Sequence, residues 1–331
     1  MAERTLWSKY GRLASVIPFT FGKVFFVLNT SDTTKTDTLQ WLVGEKGIDR
    51  VYTSLESAYA ACTTNQDDVI ILNSHNAHDV AAQIAWSKNR IHVFGLDWLM
   101  GIRHAVQQGA RIHFTLGTEA ISAPMLVTGV RNSFHGIKIM NNSTNAAALY
   151  CHVAAGEGSV YEDCSFVFEV ADNLDLTTST ELLCGEDAGT FTRCSFGTDV
   201  LVTSGARAVV TLDAVSGSQS GEGAKSNRFV DCEFVIMTSE ANAVLLKVAD
   251  TAGAKFLNRF VNPSFCGVLC SSAGGVAPTV AVASASGLVD GCIAIEHPRT
   301  MFVGSTCTTA DQIEIVAPAV SSNAHEGTTP A

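Results

Sequence analysis

Apolar and polar positions alternate along this chain in short runs separated by turn residues, and one run recurs: YEDCSF at Tyr161 to Phe166, FTRCSF at Phe191 to Phe196 and FVDCEF at Phe229 to Phe234. Fainter copies end at Phe134 (VRNSF), Phe265 (FVNPSF) and Ile293 (LVDGCI), so that the terminal apolar residues follow one another in steps of 32, 30, 38, 31 and 28. A constant unit with variable insertions predicts a solenoid of stacked coils. Each copy is preceded by a second apolar run, at Met125 to Val127, Leu149 to Val153, Leu182 to Cys184, Val209 to Leu212, Val244 to Val248 and Val280 to Ala283, which gives every coil at least two strands. About nine coils at a spacing of about 4.8 Å make a post some 40 Å tall.

Within C-x-F the sulfur and the ring are two residues apart, which in a strand puts them on one face with the intervening residue on the other. Stacking then predicts an internal ladder of Cys164, Cys194 and Cys232 beside a ladder of phenylalanines. None of the ten cysteines forms a CxxC pair, and those in the phrase read as small buried hydrophobes, reduced as in a cytosol.

The flanking segments read differently. Residues 1–50 lack the phrase and are rich in aromatics (Trp7, Tyr10, Phe19, Phe21, Phe25, Phe26, Trp41), predicting an arm that either packs on the end of the stack through a strand at Lys23 to Leu28 or anchors a partner surface. Thr53 to Cys62 predicts a short amphipathic helix, Thr53 and Glu56 at capping-box spacing and Leu55, Ala58, Tyr59 and Cys62 on one face, covering the open end of the stack. VIIL at Val69, IHVFGL at Ile91 and RIHFTL at Arg111 are expected to open three early coils. The β-helix is expected to occupy 51–316, leaving 317–331, poor in large apolar groups, as a tail.

Charge narrows the function. Lysine and arginine total 21 against 32 acidic residues, a net charge of −11, which disfavours a phosphate backbone as partner. No apolar run approaches the ~20 residues a membrane span needs.

With the helix SLESAYAAC, the following DDVIIL, the phrase IHVFGLDW and the C-x-F coils on the page, the chain resembles the pectin-lyase-like proteins over roughly Val51 to Val316. That resemblance implies an all-β fold, a right-handed parallel β-helix. More narrowly, GKVFFVLNTSD leading into VYTSLESAYAAC and IHVFGLD is similar to β-helical virion proteins of tailed bacteriophages. The pectin-lyase-like family includes polysaccharide lyases, glycoside hydrolases, phage tailspikes and capsid decoration proteins, so fold alone does not choose among them.

The residues offer little catalytic pattern. The family's polygalacturonan hydrolases carry NTD, DD, GHG and RIK phrases; here Asp67-Asp68 is the one DD, in a turn or cap position, and HGIKI at His135 has no matching NTD or GHG. Asp163 and Asp231 occupy equivalent positions before the cysteine, with Asp290 a further candidate, but Arg193 and Asn262 hold the same position in neighbouring coils. A mixed file of that kind reads as a solvated, charge-balanced face. If the chain is an enzyme, Asp163, Asp231 and Glu233 are the fallback acids, with Glu162 adjacent. His75 and His78 lack a third metal ligand, no G-x-S-x-G elbow or strand-linked GxGxxG occurs, and no cofactor is expected. A Ser-His-Asp arrangement is not decided at this level.

The sequence therefore predicts a structural virion protein: a capsid decoration or cement protein, trimeric by the resemblance, made in the host cytoplasm, displayed on the virion and bound to the major capsid protein or another virion protein. Nucleic acid and membrane are not expected partners. A tailspike-like polysaccharide depolymerase and a non-catalytic adhesin for host glycans are the alternatives.

Overall fold

The computed structural model describes residues 22–28, 50–74, 77–99, 109–115, 123–170, 175–215, 223–240, 242–248, 257–269, 282–284 and 293–303. Their strands form three sheets of ten, eight and seven strands, here called sheets 1, 2 and 3. The chain visits the sheets in turn: Val160–Glu162 in sheet 1 leads to Ser165–Phe168 in sheet 2 and Thr180–Cys184 in sheet 3, and Thr190–Thr192 then returns beside the first, parallel to it. This is the right-handed parallel β-helix, with three strands per coil. Eight successive sheet-1 strands, from Asp68–Leu72 to Ile293–Glu296, open its coils.

The recurring phrase proves to be a corner between two strands. Left-handed residues bracket the short sheet-1 strands at a fixed interval of five: Arg131 and Gly136, Gly158 and Asp163, Ala188 and Arg193, Ser226 and Asp231, Leu257 and Asn262, with φ from 39° to 65°. Such a conformation bends the chain sharply and suits Gly, Asn and Asp best. Asp163, Arg193, Asp231 and Asn262 therefore sit on the corner between sheets 1 and 2, where a strand position was expected. The cysteine and phenylalanine that follow each turn inward: Cys164, Cys194 and Cys232, Phe166, Phe196 and Phe234 are at most 1% exposed. The thiols of Cys164, Cys194 and Cys232 donate to the carbonyls of Phe134, Tyr161 and Phe191 in the preceding coil, at 3.3 to 3.4 Å.

Two aromatic ladders run up the core. Phe166, Phe196, Phe234 and Phe265 stack in sheet 2 with centroids 4.9 to 5.3 Å apart. The first aromatic of the phrase makes the other, in sheet 1: Phe134, Tyr161, Phe191, Phe229 and Phe260, 4.5 to 5.1 Å apart. Phe134 thus pairs with Tyr161, and Ile139 is the residue beside Phe166. At the other end Ile293 pairs with Asn258 in sheet 1, while Thr300 lies beside Phe265. The faint copies at Phe134 and Ile293 are therefore out of register with the clear ones by one corner. Likewise Ala110–Phe114 is a sheet-2 strand of the coil that Ile91–Gly95 opens, so RIHFTL opens no coil of its own.

Just after the first left-handed residue, an inward polar rung satisfies the backbone at the corner. Oδ1 of Asn132 accepts from Ile91 N (2.9 Å), that of Asn227 from Gly189 N (2.7 Å) and that of Asn258 from Asn227 N (3.2 Å), all buried. At Gly189 the side chain is missing, and Glu186, fully buried, fills the gap, its Oε1 accepting from Ser159 N at 2.8 Å. Glu186 has no cation against it, Oε2 has no hydrogen-bond partner, and burial pushes its pKa up to about 7. A buried ion pair joins Arg207 to Glu181 through two 2.7 Å hydrogen bonds.

The start of the stack is covered as the apolar pattern requires. The helix is Leu55–Ala61, capped by Ser54, whose Oγ accepts from Ser57 N; the cap lies one residue beyond Thr53. Leu55, Ala58, Tyr59 and Cys62 are buried, and Tyr59 stacks on Trp86 at 4.1 Å. Val24–Val27 lies in sheet 1 between Val51–Tyr52 and Asp68–Leu72, so this part of the N-terminal arm belongs to the solenoid. Trp7, Tyr10, Phe19, Phe21, Trp41, His75, Asp290 and the tail 317–331 lie outside the described residues.

Candidate functional site

Polar side chains able to do chemistry gather on the outer face of sheet 1, over the first coils. Strand alternation puts Val93 and Phe134 inside, and with them His92, Phe94, Ser133 and His135 outside. The short helix Leu96–Leu99 then brings Trp98 back over this face. Gly136 makes room for it: at φ 61° a Cβ there would overlap the Trp98 side chain.

Trp98 Nε1 donates to Asp163 Oδ2 at 2.6 Å, and its ring centroid lies 4.9 Å from that of His135, which stacks on Phe94 at 4.6 Å. Arg193 donates through Nε to Asp163 Oδ1 at 2.7 Å and through Nη2 to both Asp163 Oδ2, at 3.0 Å, and Glu162. Glu162 also receives His135 Nδ1 at 3.2 Å. Hydrogen bonds to Asp163 and Glu162 hold the Arg193 guanidinium more firmly protonated than usual, while burial lowers the pKa of His135 against the opposing pull of Glu162. Asp163 is thereby hydrogen-bonded by an arginine and an indole, and Glu162 by the same arginine and His135.

Along the same face, His92 Nδ1 lies 2.8 Å from Ser133 Oγ and its Nε2 3.3 Å from Asp67 Oδ1. Asp67, left-handed at φ 57°, is held by Arg90 through Nε at 2.8 Å and through Nη2. Burial works against its charge, but the hydrogen bonds from Arg90 and His92 outweigh that and set the carboxyl below its ordinary range. Its neighbour Asp68 is buried and accepts from Lys23 N and Thr63 N, so the DD pair divides into a surface partner and a cap.

Of the fallback acids, Asp163 is committed as described. Asp231, two coils on, accepts from Asn262 Nδ2 at 3.1 Å. Two coil steps of about 4.8 Å put the Asp163 and Asp231 corners about 10 Å apart, with Arg193 between them. Glu233 is exposed at the head of Glu233–Thr238 on sheet 2, paired in register with Ser195 and Ser264. The three acids do not converge on one point. His78 is buried, with Nε2 2.7 Å from the Asn73 carbonyl, and no metal-ligating cluster occurs among the described residues.

The phrase IHVFGLDW pointed to this region without revealing it. Alternation in IHVFG and SFH is enough to turn His92, Ser133 and His135 outward, but their meeting depends on a register that the long segment between Gly95 and Ser133 hides. On sheet 2, His113 bridges two carboxylates, Asp79 through Nδ1 at 2.9 Å and Glu169 through Nε2 at 3.0 Å.

No known family profile matches the chain, and no curated protein sequence does. Among solved structures it is similar to pectin methylesterase PemA from Erwinia chrysanthemi, with 13% identity, a TM-score of 0.35, and coverage of 84% of this chain and 82% of that one. A pectin methylesterase mutant in complex with a hexasaccharide follows at 12% identity, a TM-score of 0.33 and the same coverages. The third is ORF18 of Geobacillus virus E2, at 10% identity and a TM-score of 0.30, covering 76% of this chain and 58% of that one. Likenesses at this level carry no functional argument.

Proposed function

We propose that this chain is a structural protein of a bacteriophage virion, a trimeric decoration or cement protein that binds the capsid surface and stiffens it. The observation that carries the reading is the state of the outer acids. Along the corner where a depolymerase would present free carboxylates, Glu162 and Asp163 are tied to Arg193, and Asp231 is tied to Asn262. Nine steps of about 4.8 Å across the ten strands of sheet 1 give a post of about 43 Å. Its two continuous aromatic ladders resist bending, which suits a clamp across several shell subunits.

The partner is the major capsid protein or another virion protein, and no described helix is long and apolar enough to cross a membrane. Imaging particles made with and without the protein tests the proposal: density on the shell, and a higher temperature of genome release when the protein is present, are expected. Density on the tail, or none, overturns it.

A depolymerase or glycan-binding adhesin is the second reading, favoured by the exposure of Asp231 and Glu233 on the corner and the adjoining sheet. It requires release of product from, or binding to, host polysaccharide. In the enzyme case the activity falls in Asp163→Asn, Asp231→Asn or Glu233→Gln.

A further inference from the structure

We propose that Ser133 is a nucleophilic hydroxyl, activated by His92 and oriented through Asp67, that accepts the acyl group of small carboxylic esters. This goes beyond the structural role above and stands or falls separately from it. The three residues lie on consecutive coils of sheet 1: Asp67 at the corner before Asp68–Leu72, His92 in Ile91–Gly95, and Ser133 at the head of Ser133–His135, with His92 and Ser133 in direct register. The order of contacts, hydroxyl to imidazole to carboxylate, is what defines such a relay on any fold.

The proton positions follow from the donors and acceptors. Asp67 is clamped by Arg90 and held as the carboxylate, which only accepts. His92 Nε2, 3.3 Å away, therefore carries the imidazole proton, and in the neutral ring Nδ1 is bare. The 2.8 Å contact to Ser133 Oγ is then a bond that the hydroxyl donates, the direction a general base needs. Val160, half-buried and in register with Ser133 on its other side, borders the site, and Ser133 itself is only 8% exposed, which restricts the substrate to a short acyl chain.

In the first step Oγ bonds to the ester carbonyl carbon as its proton passes to Nδ1. The carbon–alkoxy bond then breaks, and the alcohol leaves with that proton. Water next attacks the acyl carbon, giving one proton to Nδ1; the bond from that carbon to Oγ breaks, Nδ1 passes the proton to Oγ, and the acid departs. His92 is the side-chain partner of Ser133 Oγ, and among the described residues no dedicated oxyanion donor belongs to the arrangement, so reaction is expected with activated esters, with the acyl-serine accumulating ahead of its hydrolysis.

The test exposes the full chain to p-nitrophenyl acetate and, separately, to an aryl fluorophosphonate, followed by intact-mass measurement and peptide mapping. The expected result is one adduct per chain, on Ser133, absent in Ser133→Ala, slowed about a hundredfold or more in His92→Gln and unchanged in Ser195→Ala on sheet 2. Asp67→Asn, which removes the orienting carboxylate without touching Ser133 or His92, slows it as well and decides the matter should His92→Gln fail to fold. No adduct at Ser133 in the wild type overturns the proposal. So does an undiminished rate in a folded His92→Gln or Asp67→Asn.

Discussion

Glu186→Gln should remove a pH dependence of stability that the fold builds in at one corner. The carboxyl fills the space that a polar rung at Gly189 would occupy, is fully buried, and has no cation against it. Burial raises its pKa to about 7; its hydrogen bonds from Ser159 lower it again in part, and Asp187 raises it further. In the unfolded chain a glutamate titrates near 4.3. A raised acid binds its proton more tightly when folded, so stability is unaffected below the unfolded value, falls as pH climbs through the interval, and is lower by a constant amount above the folded value.

The interval of roughly 2.7 units at 1.36 kcal/mol per unit gives about 3 to 4 kcal/mol, fully developed above pH 7. Glutamine keeps the oxygen that accepts from Ser159 N and cannot ionise. Denaturant unfolding of both proteins from pH 4 to pH 8.5 therefore shows near-equal stability at pH 4 and a variant more stable by about 3 to 4 kcal/mol at pH 8, the difference opening between pH 4.5 and 7. Parallel profiles across the whole range would refute the reasoning, for they would mean that Glu186 ionises in place at no cost.

The remaining expectations concern packing, pairing and access. Phe196→Ala removes a fully buried rung between Phe166 and Phe234 and should cost about 3 to 5 kcal/mol in denaturant unfolding. Arg207→Met leaves Glu181 buried without its cation and should cost about 3 to 5 kcal/mol, whereas the double change Glu181→Leu with Arg207→Met should recover most of it. His113, whose pKa is raised by its hydrogen bond to Glu169 and then by Asp79, stabilises the fold below the ordinary histidine range and loses that contribution as pH rises past its folded value; His113→Gln should therefore lower the melting temperature at pH 5.5 more than at pH 8.5. Cys164, Cys194 and Cys232, at most 1% exposed, should resist a thiol reagent in the native protein and react on unfolding, as alkylation followed by mass measurement will show.

The solenoid was legible because its repeat lies in the core. Cys164 with Phe166 and Cys194 with Phe196 are set two apart by the pleat itself, and inward residues must match their neighbours one coil away, so the same letters return. The corner was harder to read. C-x-F looks like one strand when Asp163 or Arg193 is taken for an ordinary outward position, and only a left-handed φ before each cysteine shows that the chain turns there. Phe134 was misaligned for the same reason, since two aromatic or aliphatic files, one on each side of the corner, supply similar letters five residues apart; Ile293 stands seven residues before Thr300, at the polar-rung position of Asn258. Of the outer constellation only the outward facing of His92 and Ser133 was readable, since these and Asp67 are joined across coils and no local spacing connects them.

Corner geometry also accounts for the mixed chemistry of the outer file. A left-handed position admits Gly, Asn and Asp at little cost, and these are what stand at Gly136, Asp163, Asp231 and Asn262. Arginine gains nothing from that conformation, and its presence at Arg193 requires another contribution. The structure supplies one, because Arg193 alone in the file reaches back to two carboxylates of the preceding coil, Glu162 and Asp163, whose charges would otherwise face each other across one turn. The order Asp, Arg, Asp, Asn is thus the order in which backbone tolerance introduces acids and a neighbour compensates them. Carboxylates selected by a turn and then tied down by a neighbour serve the architecture of the stack or, like Asp67, an orienting role, and a nucleophile or base on this face has to come from residues that strand alternation turns outward, of which Ser133 and His92 are two.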